Sequence, residues 1–383
     1  MQSPTMIRRT RVEVDLSAIV GNARMVRAYT NTDVFAVVKA DGYGHGAVAV
    51  ARALTAARAV AGFAVSLVEE GVTLRDAGVT APVLVMGPSQ HGGEDDMVMA
   101  GLTPVIGCFE DLTALAAIAR RRGRTIDAHL KVDTGMGRLG VSLAEVAEIV
   151  VEAGRTGIVI VGLMTHFACA DTDDPGDPRS MTRDQLRRFA EVDRVVTAAG
   201  APLRVRHAAN SSGALLFPEA RLDLVRTGIA IYGNGRWPTS GEAAAQHRSA
   251  MRLVTEVAQL RTIAQGTSVG YGATWRAERT SRVAVLPLGY ADGLPRRASG
   301  QAFAAIRGRR VPLVGTISMD IAIADVTDVP EVAIGDAAVL LGRASGGASI
   351  SVAEYGAWAG LSEYEVTCGM SKRVPRTYVG DPP

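Results

Sequence analysis

At 383 residues the chain is long for one domain, so two are expected, with ample core. Its 41 Lys and Arg nearly balance 39 Asp and Glu, which argues against a nucleic-acid partner, because phosphate contacts need clustered basic charge. Cys108, Cys169 and Cys368 are odd in number and far apart, excluding a disulfide framework or zinc site and suggesting a reducing compartment.

The N-terminus carries no apolar export segment: Arg8-Arg9 is followed shortly by Val12-Glu-Val-Asp15. Apolar runs elsewhere are broken by Arg or Glu before membrane-spanning length, so a soluble, cytoplasmic protein without a membrane partner is expected. Residues 7–14 have strand character and are expected to pair with the C-terminal part of the chain. The first helix should begin near Asp15. From there short β-branched runs alternate with amphipathic stretches. Eight strands are predicted: Val34–Ala40, Gly62–Ser66, Pro82–Gly87, Thr103–Gly107, Asp127–Asp133, Ile158–Phe167, Arg204–Asn210 and Asp223–Tyr232. Among the helices are one from Phe109 to Arg120 and one over Ser142–Ala153, opened by a Ser142/Glu145 capping box. Eight such units favour an α/β fold of the (β/α)8 TIM-barrel type over an open sheet.

After Arg236 the pattern changes. Trp237-Pro-Thr-Ser-Gly241 resembles a linker, and strands such as Arg282–Leu286 and Val311–Val326 follow between Gly/Pro turns. The predicted domains are a barrel over 15–236 and a smaller C-terminal antiparallel β-domain over 237–383, joined by the N-terminal strand 1–14.

In such a barrel functional groups gather at the carboxyl ends of the strands, and the polar outliers fall there. Lys39 closes the first apolar run, where partial desolvation would lower its pKa and suit its amine to a Schiff base. Tyr43 follows it. Lys131 and Asp133 end the fifth strand, with Arg138 just beyond; His166 ends the sixth; Asn210 and Ser211 end the seventh; Arg226, Gly228 and Ile229 lie within the eighth. Neutral donors from Tyr43, Ser211 and the Gly228 and Ile229 amides, with two arginines, suit an anionic cofactor bearing an aldehyde. For each arginine alone, a rim salt bridge is the competing reading. Two motifs mislead. Gly135-Met-Gly-Arg-Leu-Gly140 matches a dinucleotide loop but follows a fifth strand, with Asp133-Thr134 intervening. Asp171–Asp177 resembles a calcium loop but has Pro175 and Thr182 where ligands belong. No His or Cys spacing supports a metal.

These segments resemble the bacterial alanine racemase family: Val38–Gly46, Lys131–Gly140, Thr165–Ala168, His207–Ser211 and Arg226–Gly233. In the second domain they are Val269–Gly272, Gly289–Gly293, Ser318–Asp320 and Glu363–Val366. The resemblance implies L-/D-alanine interconversion on pyridoxal 5'-phosphate, in a homodimer with active sites shared between subunits and an amino acid as substrate. Lys39 would hold the cofactor and act as one base, and Tyr271 of the partner subunit as the other. Tyr43, Ser211, Gly228, Ile229 and Tyr364 would bind the phosphate, with Asn210 beside them. Arg226 would face the ring nitrogen; Arg138 would meet the ring phenolate and the substrate carboxylate, as would the Met319 amide. His166 would connect Tyr271 to Arg226, and Tyr290 would line the entrance. Lys131 matches a lysine often carbamylated in that family. Ser318 stands where members often carry Cys, before a residue whose role is a backbone one. A tyrosine near ~10 and a lysine near ~10.4 need nearby cations and burial to act as bases at neutral pH. The alternatives are a broader amino-acid racemase acting, for example, on serine, a barrel-type decarboxylase, and a non-catalytic cofactor carrier.

Overall fold

In a computed structural model of the chain, residues 7–88, 92–238, 241 and 246–380 are described. Of the expected linker, Thr239 and Ser240 lie outside them. The chain forms two compact units. One spans Ser17–Arg248; the other combines the segment ending at Leu16 with the chain from Ser249 onward.

The first strand, β1 (Arg11–Asp15), runs directly into a helix at Leu16–Thr30. Eight parallel strands follow: β2 (Asp33–Val37), β3 (Gly62–Val65), β4 (Val83–Val85), β5 (Thr103–Ile106), β6 (Ile126–Lys131), β7 (Ile158–Met164), β8 (Val205–His207) and β9 (Leu224–Thr227). They pair in the order β8-β7-β6-β5-β4-β3-β2-β9. Every residue of β3 and β4 is buried, as expected of strands with helices on one face and packed side chains on the other. Between β8 and β9 the ladder gives way to single bonds, Asp223 N to Arg206 O at 3.1 Å and Arg226 N to Ala209 O at 3.0 Å. All eight predicted strands are present, each stopping short of the predicted carboxyl end. Of the polar residues predicted there, Lys131 and Arg226 remain on their strands, while Lys39, Asp133, His166 and Asn210 lie beyond them.

The helix Phe109–Arg122 buries Leu112, Leu115, Ile118 and Ala119 at helical spacing, and Gly123 ends it in a left-handed conformation with φ 60°. The helix predicted from Ser142 instead begins at Val146 and runs to Arg155. Glu145 does reach back to Ser142, accepting from its amide at 2.9 Å and its hydroxyl at 2.6 Å. That pair closes a separate turn, so the capping signature marks the approach to the helix and not its start.

In the second unit the strands are β10 (Met251–Glu256), β11 (Gln259–Ile263), β12 (Ser268–Val269), β13 (Trp275–Arg276), β14 (Ser281–Leu286), β15 (Phe303–Ile306), β16 (Arg309–Pro312), β17 (Ala322–Asp325), β18 (Ala337–Arg343), β19 (Ser349–Ile350) and β20 (Arg376–Val379). The larger sheet runs β16-β15-β18-β10-β1-β20, and a smaller one β11-β14-β17. The N-terminal strand does join this unit: β1 is antiparallel to β10 and parallel to β20. Val12 and Val14 face inward at full burial while their neighbours face out. The expected run Val311–Val326 is broken into β16 and β17. Between them Ser318 donates from its amide and hydroxyl to Ile321 O, at 3.0 and 2.8 Å. A side chain able to close its own four-residue turn competes with the ladder, and here it wins.

Asp292, fully buried, is the electrostatic node of this unit. It accepts from Arg8 at 2.7 and 2.9 Å, from Arg373 at 2.9 Å and from the Gly289 amide at 3.0 Å. One carboxylate thus ties the approach to β1, the loop 289–293 and the C-terminal segment together. Asp292→Asn should destabilise the protein by about 2 kcal/mol or more, the worth of a charge-assisted hydrogen bond. Urea unfolding with an unchanged midpoint would rule the clamp out.

Candidate active site

Beyond β2 the backbone does something costly. Ala40, Asp41, Gly42 and Tyr43 have φ of 52°, 53°, 62° and 54°, a left-handed turn in which three of four residues are not glycine. Each non-glycine residue there costs roughly 1–2 kcal/mol. Internal bonds support the turn, from Gly42 N to Val38 O and from Gly46 N to Asp41 O, both 2.8 Å. Asp41 adds a carboxylate oxygen accepting from Ala47 N at 2.9 Å. The turn keeps Lys39 at the mouth and returns Tyr43, only 8% exposed, into it. Tyr43 lies against Gly228: a Cβ built at Gly228 would stand 2.4 Å from the phenol oxygen, so no larger residue fits.

After β8, Asn210 caps the short helix Ser211–Leu216, its side chain accepting from Gly213 N at 2.9 Å. The buried Ser211 oxygen accepts from the Gly228 and Ala230 amides at 3.1 and 3.3 Å. With both lone pairs engaged, its O–H is left to donate, which suits an anion. Tyr43, Ser211 and Gly228 come from three loops to one place. Ile229 is buried beside them.

Arg226, on β9, is 2% exposed and makes no salt bridge with a carboxylate among the described residues. Its Nη2 donates to Thr165 O at 2.8 Å, Ala208 O at 3.2 Å and His166 Nδ1 at 3.2 Å; Nη1 donates to His207 O at 3.1 Å and His207 Nδ1 at 2.7 Å. Its Nε is buried with no partner. Since a guanidinium only donates, His207 must carry its proton on Nε2, which then donates to His129 Nδ1 at 2.8 Å. By the same logic His166 carries its proton on Nε2. Burial, then Arg226, holds His166 and His207 well below the usual histidine pKa and His129 at about 4. Burial lowers Arg226 to about 10, so it stays charged at neutral pH. His129 needs room: a Cβ on Gly162, across the ladder, would meet its ring at 2.5 Å.

Lys131, at the end of β6, is 6% exposed. Burial first, then Arg138 and Arg226, push it down to about 8. It lines a cavity of about 430 Å³ with Arg138, Met86, Cys108 and Asp111. The field at His166 carries contributions from Arg226, Arg138, Lys131 and Lys39, so the barrel mouth is strongly cationic. Asp133 is occupied elsewhere. Its carboxylate accepts from the amides of Gly135, Met136 and Gly137 at 2.9, 2.8 and 2.8 Å. The first three amides of the glycine-rich loop are therefore taken by its own acid and are not available to a dinucleotide phosphate. In the acidic loop, Asp173 caps Thr182 and Asp174 accepts from Gly176 N. No metal-ligating cluster occurs among the described residues.

In the β-unit, Tyr271 is 72% exposed on a turn pinned by Thr316, whose hydroxyl donates to Tyr271 O at 2.8 Å. The loop carrying Tyr290 donates to the Met319 turn, from Tyr290 N to Ser318 O at 3.0 Å and from Ala291 N to Met319 O at 3.1 Å. These bonds tie the turns carrying Tyr271 and Tyr290 to the segment 316–319, and Tyr271, Tyr290 and Met319 are all exposed. Tyr364 stands, also exposed, on the helix Glu363–Cys368, opened by a Ser362/Glu365 capping box.

Two family profiles match, "Alanine racemase, N-terminal domain" over residues 14–235 and "Alanine racemase, C-terminal domain" over 250–378. The chain belongs to the alanine racemase family. An alanine racemase of Sorangium cellulosum is 42% identical over 385 residues, covering 97% of this chain and 99% of that one. The crystal structure of alanine racemase from D-cycloserine-producing Streptomyces lavendulae matches with a TM-score of 0.91 at 35% identity, covering 99% and 98% of the two chains. That of alanine racemase from Bartonella henselae with covalently bound pyridoxal phosphate matches with a TM-score of 0.85 at 28% identity, covering 97% and 99%. Racemases of this family are isomerases dependent on pyridoxal phosphate. No described helix is long and apolar enough to cross a membrane.

Within this family member, three supporting residues escaped sequence reasoning. His207 meets Arg226 and His129 meets His207, from separate strands, and Glu70 reaches Ala40 from 30 residues away. Period two along β6 places His129 and Lys131 on one face, a signal that was legible; the pairing of His129 with His207 was not. Because folding depresses the His129 pKa, its contribution is fully present above about 6.5 and is lost as pH falls toward about 4. The full loss is on the order of 3 kcal/mol. Urea unfolding of cofactor-free protein should show His129→Gln flattening this acid limb relative to the parent. Parallel pH profiles would contradict the burial of a neutral imidazole.

Proposed function

We propose that the chain interconverts L- and D-alanine with bound pyridoxal 5'-phosphate, Lys39 and Tyr271 of the partner subunit transferring protons on opposite faces of the α-carbon. The observation that carries this reading is Arg226: a buried cation fixed by carbonyls and imidazoles, with one donor, Nε, left over and without a partner. That donor fits an aromatic ring nitrogen, and the residues around it fit the rest of the group. Tyr43, the Ser211 hydroxyl and the Gly228 and Ile229 backbone would hold the phosphate beneath the Asn210-capped helix, joined by Tyr364. Lys39 would hold the aldehyde carbon. When bound, the cofactor supplies the electron sink that makes the substrate α-proton acidic.

The remaining work falls to the chain. Arg138 and the Met319 amide orient the substrate carboxylate, and Tyr290 narrows the approach. Lys39 takes or returns a proton on one face and the phenol of Tyr271 on the other; a single base would have to cross the substrate plane. His166, with Nδ1 accepting from Arg226, keeps Nε2–H to donate to the phenolate and steady it. A strong exposure of Tyr271 supports a role outside its own unit, and a homodimer sharing its sites supplies that setting. Lys131, at about 8, is partly neutral in mildly alkaline solution, as reaction with carbon dioxide requires. The carbamate formed would hold Arg138 in place by charge.

Tyr271→Phe should lower kcat in both directions by roughly 10²–10⁴-fold, the worth of a general base. Neither Lys39→Ala nor Tyr271→Ala homodimers should racemise alanine, whereas reassociated mixtures regain one complete site per heterodimer. An inactive mixture shown to contain heterodimer removes the shared site. A parent protein that leaves alanine stereochemistry untouched, with cofactor present, removes the whole reading.

A further inference from the structure

We infer that Glu70 is a positioning residue for Lys39, its carboxylate acting as the strut that holds the left-handed turn behind the lysine. The inference rests on Lys39 being the residue that holds the cofactor. Glu70 lies in the first turn of the helix Val68–Asp76, which follows β3. Leu67, before that helix, has no side chain able to accept a hydrogen bond. Glu70 takes over, its Oε2 accepting from the Ser66 and Leu67 amides at 2.9 and 3.0 Å. The second oxygen does something local capping does not require. Oε1 accepts from the Ala40 amide at 2.6 Å, the shortest of the three bonds. One carboxylate therefore joins the loop after β2 to the loop after β3.

Ala40 is where such a strut is needed. Its neighbours in the turn have their own supports: Asp41 bonds Ala47 N, and Tyr43 packs on Tyr232 with ring centroids 5.2 Å apart. Asp also tolerates the left-handed region through its short polar side chain. Ala40 offers only a methyl group, is exposed, and still holds φ 52° and ψ 48°. From outside the turn, what reaches its backbone among the described side-chain bonds is Glu70. Relaxing Ala40 toward the right-handed or extended region would rotate the chain adjoining Lys39 and misdirect the amine. Glutamine cannot replace the strut, because its amide nitrogen would turn a donor onto an amide donor. Aspartate is one methylene shorter and cannot span both loops.

Glycine occupies the left-handed region without the penalty carried by alanine. That permits a rescue test with four holoenzymes: parent, Glu70→Gln, Ala40→Gly and the double variant. Glu70→Gln should lower cofactor retention and kcat by about tenfold each, the worth of one charge-assisted bond, with KM for alanine within about twofold. Adding Ala40→Gly should recover most of both losses, which a merely structural role for Glu70 would not allow. In the cofactor-free proteins, hydrogen exchange at the Gly42 and Gly46 amides should quicken by about tenfold in Glu70→Gln and slow again in the double variant. Unchanged retention and exchange in Glu70→Gln would overturn the inference, as would losses that Ala40→Gly leaves in place. If Glu70→Gln alone does not fold, recovery of folding by Ala40→Gly supports the strut and its absence overturns it. Should the parent acquire no borohydride-sensitive visible absorbance with cofactor, the role of Lys39 fails separately, and exchange in the cofactor-free proteins still decides whether Glu70 holds the turn.

Discussion

A guanidinium buried at 2% exposure, with no carboxylate paired to it among the described residues, is the constraint around which the barrel is arranged. Removing such a charge from water costs several kcal/mol unless its protons are met by acceptors. Arg226 solves this with three backbone carbonyls and two imidazoles. The solution propagates. His207 must accept, so it must be neutral and protonated on its far nitrogen, and His129 must in turn accept from it. His129 then needs the space that Gly162 leaves. Each layer satisfies the layer inside it, and the innermost nitrogen alone is left to meet a ligand.

A carboxylate in place of the imidazoles would have stabilised Arg226 more directly, but it would also have neutralised the cationic mouth. Neutral acceptors keep the charge of Arg226 available to its surroundings. With Arg138, Lys131 and Lys39 contributing to the same field, the mouth favours anions, and a phosphate and a carboxylate are the anions a pyridoxal-phosphate-dependent amino-acid racemase must hold. The acids nearby are engaged in structure: Asp133 binds three amides of its own loop, and Glu70 binds three amides across two loops. Placing carboxylates on backbone donors builds the loops without cancelling the charge they surround.

Strand existence was legible because fully buried parallel strands require β-branched and apolar runs, and β3 and β4 are such runs. Strand ends were not, because Val38, Phe167 and Ile229 continue an apolar pattern past the last strand residue. The broken run between β16 and β17 was missed for a related reason. Alternation persists through Val311, Leu313, Ile317 and Ile321, while Ser318 closes a turn that no periodicity records. The capping pair Ser142/Glu145 formed its bonds and still lay four residues ahead of the helix, since such a pair closes an isolated turn equally well.

By itself the sequence determined the fold class, with its barrel and β-domain, and the family, because periodicity and short motifs are local properties written along the chain. It also carried the signal for Lys39 as an amine at a strand end. Only the tertiary structure decided that Arg226 is solvated by imidazoles from β8 and from the loop after β7, that Tyr43 packs on Gly228, and that Glu70 reaches the backbone beside Lys39. Those contacts depend on register and on strained backbone angles. Both are set by how distant segments pack, and neither leaves a periodic trace in the order of residues.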